Sequence, residues 1–128
     1  MMDYQRQKNN KYILPRAVWN QTIWAIRDYY RLKEEADSII LSSPSPDGAP
    51  GKAGPGDPTY AKAVKRERLV KRVDIIDQSL AKIPQEYRKG VWNNVMYGSR
   101  YPDDAHRNTY SMWKSRYVFT VAKKMGFY

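Results

Sequence analysis

Apolar residues near the start of the chain recur every three or four positions, the spacing of one face of an α-helix. The pattern runs through residues 15–41, PRAVWNQTIWAIRDYYRLKEEADSIIL, along two adjacent lines. One line holds Val18, Thr22, Ala25, Tyr29, Leu32, Ala36 and Ile39, and the other holds Trp19, Ile23, Ile26 and Tyr30. The two lines form a wide apolar stripe, which predicts one long helix of about seven turns with Pro15 in its first turn.

The composition changes abruptly after this segment. Residues 42–58, SSPSPDGAPGKAGPGDP, contain five of the eight prolines and four of the seven glycines of the chain. Proline and glycine at this density disfavour both helix and strand, so a flexible or extended linker is predicted here. Asp57 and Pro58 have the chemistry of a helix start, because an N-cap acceptor precedes a proline at the first helical position.

A second helix is predicted over about 59–82. It carries a regular apolar seam made of Leu69, Val73, Ile76, Leu80 and Ile83. Such a seam can pack inside the domain or against a second copy of the chain, and its short length of two heptads favours internal packing.

Two shorter helices are predicted to follow. The first begins after Pro84 and ends at Gly98, since glycine tolerates the left-handed backbone of a helix end. A turn of about six residues leads to the closing helix, Ala105–Lys124, with Asp103 or Asp104 as its N-cap and Gly126 as its stop. This layout is typical of a helix-turn-helix, although the turn is longer than the three or four residues of the tight motif.

No segment shows the alternation of a β-strand, so the sequence predicts an all-α fold with four helices. The expected organisation is an N-terminal helical segment (1–41), the Pro/Gly-rich linker (42–58) and a basic helix-turn-helix domain (59–128).

The closing helix has two different faces. Its apolar line is His106, Tyr110, Trp113, Tyr117 and Val121. Rings at this spacing usually form core, and His106 is expected to be packed or to cap the helix. The opposite line is Arg107, Asn108, Ser111, Lys114 and Ser115, with Arg116 and Lys123 to one side.

That polar line has the composition of a recognition helix in the major groove, where Arg pairs with guanine, Asn with adenine, and Ser with base edges or phosphate. An ordinary solvated face is the alternative interpretation, and the pattern alone leaves both open.

The net charge of +10, from 23 Lys or Arg and 13 Asp or Glu, makes a polyanion the expected partner. Residues 59–128 carry most of this charge. The expected phosphate contacts are Lys62, Lys65, Arg66, Arg88, Lys89, Arg100 and Lys114.

Several classes of function find no support in the residues. The chain has no cysteine and one histidine, which excludes disulfides, thiolate nucleophiles and Cys-based zinc sites. GAPGKAGPG lacks a preceding strand and has prolines where a phosphate loop needs N–H groups. We therefore predict a protein that is not an enzyme and has no catalytic residue, metal or cofactor. Without a signal peptide or a membrane-spanning apolar run, the expected location is the cytoplasm, with no membrane partner.

Four stretches in order resemble the RinA-type transcriptional activators of phages and prophages of Gram-positive bacteria, a group of sigma-region-4-like helix-turn-helix proteins. They are LPRAVWNQTIWAIRDYYRLK, SPSPDGAPGKAGPGDPT, IPQEYRKGVWNNV and HRNTYSMWKSRYVFTVAKKMGF, covering most of residues 13–127. The resemblance implies a DNA-binding regulator of phage late genes that acts with host RNA polymerase. It also implies that the polar residues leading the last helix, Arg107, Asn108, Thr109 and Ser111, read bases.

Two other functions remain open. A phage small terminase subunit also uses a small helical DNA-binding domain, and the seam 69–83 would then join subunits into a ring. A phage inhibitor of a host nucleic-acid enzyme would use its charge to bind protein. The oligomeric state, including a homodimer or a higher oligomer, is not fixed by the sequence.

Overall fold

The computed structural model describes Gln5, residues 10–42 and residues 58–128. The described part of the chain is all-helical and has no strand. Its helices are α1 (Arg16–Arg27), α2 (Tyr29–Ser42), α3 (Pro58–Ala81), α4 (Gln85–Tyr97) and α5 (Arg107–Met125). The predicted helix class is confirmed, but these residues form five helices where four were predicted. Most of the predicted linker, including the N-cap assigned to Asp57, lies outside the described residues.

The additional helix arises because the predicted long N-terminal helix is interrupted at Asp28. This residue has φ −83° and ψ 1°, and its N–H is shared between the carbonyls of Trp24 and Ala25. Such a backbone is typical of a tightened last turn. Aspartate favours such a position, because its short polar side chain competes with the backbone hydrogen bonds of a helix interior.

The chain divides into two compact units whose boundaries differ from the segments expected from the sequence. One unit combines Met1–Asp28 with Ile75–Tyr128, and the other is Tyr29–Asp74. The first unit therefore contains α1, the end of α3, α4 and α5, although α1 belongs to the predicted N-terminal segment. The boundary at Asp28 coincides with the interruption between α1 and α2.

In the first unit, α1, α4 and α5 pack against one another in all three pairs. Their apolar faces make a core with the end of α3. Its fully buried side chains include Leu14, Ile26, Ile76, Val91, Val95, Tyr110, Tyr117, Val118 and Val121. Gln5 is buried with them, donating from Nε2 to the carbonyl of Tyr12 and accepting from the N–H of Leu14 at 3.1 Å. Gln5 is thus held by paired polar groups against the described residues just ahead of α1.

The second unit contains α2 and the first part of α3. Leu32 and Ala36 on α2 and Leu69 and Val73 on α3 are buried. The predicted seam is largely inside the chain, because Ile76 on α3 and Ile83 just after α3 are also buried and Leu80 is half-buried. Internal packing of the seam is confirmed.

The expected ends of the last two helices are also confirmed. Gly98 follows α4 with φ 67°, and Gly126 follows α5 with φ 79°, both in the left-handed region. Within the described residues, no helix combines the length and the apolar character needed to cross a bilayer.

Candidate nucleic-acid interface

The candidate interface begins at the first turn of α5, which His106 caps. The Nδ1 atom of His106 accepts a hydrogen bond from the N–H of Asn108 at 3.0 Å. The prediction that Asp103 or Asp104 is the N-cap is wrong. The Asp104 carboxylate accepts from the Tyr110 hydroxyl, so it holds a ring of the core while His106 satisfies the helix start. A capping role for His106 was one of the two expected from the sequence.

Two of the four residues expected to read bases are fully on the surface. Arg107 and Asn108 are exposed, whereas Thr109 and Ser111 are half-buried. Successive helical residues are separated by about 100°, so Arg107 and Thr109 point in widely different directions. The structure therefore brings Arg107 and Asn108 together at the first turn and does not align all four residues on one line.

The exposed face of α5 differs from the predicted polar line. Ser115 is buried, at 3% exposure, and Ser111 and Lys114 are half-buried. The Lys114 amine contacts Asn94 of α4 and the ring of Trp19 of α1, and Oγ of Ser115 accepts a hydrogen bond from Asn10, ahead of α1. The outward side carries instead Asn108, Met112, Arg116 and Lys123, with half-buried Phe119 among them.

Cations alternate with rings along this outward side. The Arg116 guanidinium lies 5.2 Å from the ring centroid of Tyr12 and 4.9 Å from that of Trp113. The Lys123 amine lies 5.7 Å from the ring centroid of Phe119 and 5.2 Å from that of Tyr128. Such pairs hold cations at the surface without neutralising them.

Sequence reasoning placed Arg116 and Lys123 beside the polar line and did not identify these ring contacts. A signal for two of them was present, because Trp113 precedes Arg116 by three positions and Phe119 precedes Lys123 by four. The contact with Tyr12 needs the tertiary fold.

The expected phosphate contacts of α4 and its following loop have unequal environments. Lys89 and Arg100 are exposed. Arg88 is half-buried, and its Nε and Nη2 atoms donate to the carbonyls of Ile83 and Ala81 at 2.7 and 2.8 Å. Its guanidinium satisfies the carbonyl end of α3, so its first role is structural.

The three expected phosphate contacts on α3 belong to the second unit. Lys62 is exposed, and the amine of exposed Lys65 lies 2.8 Å from the Glu35 carboxylate, which also pairs with Arg31. The hydrogen bond and charge of Lys65 lower the pKa of Glu35. Arg66 is half-buried, and its Nε atom has no hydrogen-bond partner among the described residues.

Lys114, the last expected phosphate contact, points away from the outward side of α5. Its amine donates to Oδ1 of Asn94 at 2.7 Å and lies 5.6 Å from the ring centroid of Trp19. Burial, and then the charge of Arg27, lower the pKa of the Lys114 amine. A phosphate on the outer surface of α5 would therefore not meet this amine without a rearrangement.

Three aromatic residues of the N-terminal segment, Trp19, Trp24 and Tyr29, differ in their exposure. Trp19 and Tyr29 are each buried, and Trp24 alone of the three is exposed, at 65%. In the described part of the chain, His, Asp and Glu form no group of three or more that could hold a metal ion.

Comparisons with protein-family models, with curated proteins and with solved structures found no match to this chain.

Proposed function

We propose that this chain is a sequence-specific double-stranded DNA-binding protein that regulates transcription. The observation that carries the proposal is the exposure of Arg107 and Asn108 at the first turn of α5, directly after the cap at His106. Recognition helices contact base edges from their N-terminal turns. Arginine and asparagine are the side chains that pair most specifically with guanine and adenine in the major groove.

The packing around the first turn of α5 supports the same function. Tyr110, one turn beyond Arg107, is fully buried. Its ring stacks on that of Tyr101 with 5.2 Å between the ring centroids, and its hydroxyl donates a hydrogen bond to the Asp104 carboxylate. Its ring fixes the start of α5 against the loop that leads into it. A side chain that reads bases needs such a fixed backbone, because a bidentate hydrogen bond tolerates little displacement.

Exposed cations provide the electrostatic part of the proposal. Lys89 and Arg100 belong to the same compact unit as α5, as do Arg116 and Lys123 on its outward side. Cations of this kind attract the phosphate backbone and release its counterions, which gives affinity without sequence preference. Specificity would then come from Arg107 and Asn108.

The biological setting that we propose follows from the resemblance to the RinA-type activators. It is the control of phage or prophage late genes in the cytoplasm of a bacterial host, together with host RNA polymerase. The DNA-binding proposal itself rests on α5 and can be tested without polymerase.

The decisive experiment is selection of bound duplexes from a random library, followed by salt-controlled affinity measurements on the selected and scrambled sequences. We expect a consensus. We also expect Arg107→Ala and Asn108→Ala each to reduce discrimination at one base pair by about 1–3 kcal/mol. The matched control is Arg72→Ala, which removes an exposed arginine of α3 and should leave the ratio of selected to scrambled affinity unchanged.

Two outcomes would contradict the proposal. Retention of DNA without any consensus would leave only nonspecific affinity. Wild-type discrimination in both α5 variants would show that other residues read the sequence.

Assembly into a packaging ring through the seam of α3 has less support than regulation. Leu69, Val73, Ile76 and Ile83 are buried within one chain, so they are not free to join subunits. Light scattering tests the remaining routes to a ring, since a large closed oligomer would favour packaging and a monomer or dimer would favour regulation.

A further inference from the structure

A cleft of about 370 Å³ lies among α1, α4 and α5, inside the first compact unit. It is lined by Trp19, Asn20, Ile23, Trp24, Arg27, Val95 and Lys114. This volume is within the range of small-molecule sites, which is about 300–1,000 Å³. Its mixture of two indole rings, an amide and two cations is also the mixture that a small polar ligand requires.

The two cations of the cleft have no acidic neighbour among the residues that line it. Arg27 and Lys114 both line the cleft, and their positive charges repel each other. After burial, this repulsion is the second cause that lowers the pKa of the Lys114 amine. An anion placed between them would replace this repulsion by two attractions. The cleft is therefore electrostatically suited to a negative group.

Both cations are held in place by protein acceptors that use only part of their donor capacity. The Lys114 amine donates to Asn94 at 2.7 Å, and the Nε atom of Arg27 donates to the carbonyl of Val95 at 2.8 Å. An ammonium has three N–H donors and a guanidinium has five. The anchored groups thus keep further N–H donors for a ligand with several acceptor oxygens, such as phosphate.

The indole ring of Trp24 gives the cleft an exposed apolar wall. Trp24 is 65% exposed, and the Arg27 guanidinium lies 5.0 Å from its ring centroid. A large exposed ring held beside a cation is a stacking surface for another flat ring. Trp19 lies deeper in the cleft and is buried.

We propose that this cleft binds a small molecule in which a phosphate is joined to a flat ring, with the phosphate between Lys114 and Arg27 and the ring against Trp24. A free mononucleotide has this chemistry. The proposal goes beyond DNA binding, because the ligand is a separate small molecule that the protein would sense at a site away from the first turn of α5.

Calorimetry on the full chain, without DNA, tests the proposal with three probes. We expect adenosine monophosphate to bind more tightly than inorganic phosphate, which lacks the ring, and than adenosine, which lacks the charge. In an amide NMR spectrum with the same probe, the indole N–H signals of Trp19 and Trp24 should shift, while those of Trp92 and Trp113 stay in place. Failure of the monophosphate to bind at millimolar concentration would overturn the proposal.

Variants separate the two halves of the site. Lys114→Met should weaken monophosphate binding about tenfold or more, the usual effect of losing one hydrogen bond to a charged group. Lys123→Met is the matched control, because Lys123 also lies over aromatic rings, those of Phe119 and Tyr128, but outside the cleft. It should bind the monophosphate as wild type does. Equal affinity in Lys114→Met and wild type would overturn the proposal.

Trp24→Ala keeps the test valid if loss of the half-buried Lys114 amine disturbs folding, because Trp24 is exposed. It should lower the affinity for the monophosphate to that for inorganic phosphate and leave inorganic phosphate binding unchanged.

A short single-stranded oligonucleotide without terminal phosphates distinguishes a free small-molecule ligand from nucleic acid. If the oligonucleotide competes for the cleft with a lower dissociation constant than that of the monophosphate, the cleft is a binding site for nucleic acid. The proposal of a free small-molecule ligand would then be wrong.

Discussion

At the residue scale, the contact between α4 and α5 depends on a glycine in the interior of a helix. Gly90 is buried, and a Cβ atom added there would lie 2.6 Å from Cε1 of Tyr110 and 2.8 Å from Cδ of Pro102. Tyr110 cannot easily move away, because its ring stacks on Tyr101 and packs edge-on against Tyr87. Glycine weakens a helix, so its presence here indicates that close approach outweighs helix propensity.

We therefore expect Gly90→Ala to destabilise the protein although alanine is the better helix former. The gain in propensity is about 1 kcal/mol. Overpacking of a rigid core costs about 1–3 kcal/mol, so the expected net loss is up to about 2 kcal/mol. Urea unfolding followed by circular dichroism measures it. Lys89→Ala, at the neighbouring exposed position of α4, is the control and should change stability by less than about 0.5 kcal/mol. If Gly90→Ala were more stable than wild type, Gly90 would not be required for the close approach of α4 to Tyr110.

Tyr110 also gives the stability a defined dependence on alkaline pH. Burial, reinforced by the hydrogen bond to Asp104, raises the pKa of Tyr110 to about 12. In the unfolded chain a tyrosine ionises near pH 10. The folded state therefore binds this proton more tightly, and its contribution to stability is complete below pH 10 and is lost as pH rises toward 12.

The comparison of wild type with Tyr110→Phe isolates this contribution, because phenylalanine has no proton to lose. Near pH 8 we expect the wild type to be more stable by about 1 kcal/mol, from the hydrogen bond to Asp104. Between pH 10 and pH 11.5 the difference should shrink and then change sign. Denaturant unfolding at a series of pH values measures it, and a difference independent of pH would contradict the assignment.

At the element scale, helix ends set by glycine or proline were predictable from the sequence, and those set by tertiary contacts were not. Gly98 and Gly126 end α4 and α5 as expected, because few residues other than glycine adopt φ values of 67° and 79°. The start of α5 was missed because Asp104, a good N-cap by chemistry, is engaged by Tyr110. The interruption at Asp28 lies inside an unbroken apolar pattern, so periodicity could not reveal it.

The sequence also did not predict which side of α5 faces outward, because tertiary contacts decide it. The apolar line predicted by periodicity is buried at Tyr110, Tyr117 and Val121. On the same line Trp113 is half-buried and His106 is exposed. Periodicity does not show how wide a sector of the α5 surface is covered by the neighbouring helices. With α1 and α4 both against α5, the sector extends over Ser115 and part of Lys114. Arg107 and Asn108 remain exposed.

The cap at His106 can be tested as a property of α5. We expect His106→Ala to lower the stability by about 1 kcal/mol, because the N–H of Asn108 loses its acceptor. Asp103→Ala should change stability by less than about 0.5 kcal/mol, since the residue is exposed and does not cap the helix. Thermal unfolding at neutral pH measures both. A larger loss in Asp103→Ala than in His106→Ala would restore the aspartate as the effective cap.

At the scale of the whole molecule, the 23 lysines and arginines of the chain are not equally available to a polyanion. Arg88 binds carbonyls at the end of α3, Lys114 lies in the cleft, and Lys65 pairs with Glu35. Lys89 and Arg100 are exposed on the unit that contains α5. In the structure some cations bind protein groups, one lies in the cleft, and others are exposed to a partner. Composition alone does not distinguish these environments.

If the chain binds DNA as we propose, this sorting predicts how its affinity for DNA responds to salt. Each phosphate neutralised by the protein contributes about 0.9 to the slope of log affinity against log salt concentration. If Lys89 and Arg100 each neutralise a phosphate, Lys89→Gln and Arg100→Gln should each reduce the slope by about 0.9 and weaken selected and scrambled duplexes alike. Lys114→Met removes the same charge from the cleft and should leave the slope unchanged. Titration of binding by fluorescence anisotropy from low to physiological salt measures all three variants. A reduced slope in Lys114→Met, together with unchanged slopes in the other two, would mean that DNA enters the cleft among α1, α4 and α5 and does not contact Lys89 and Arg100.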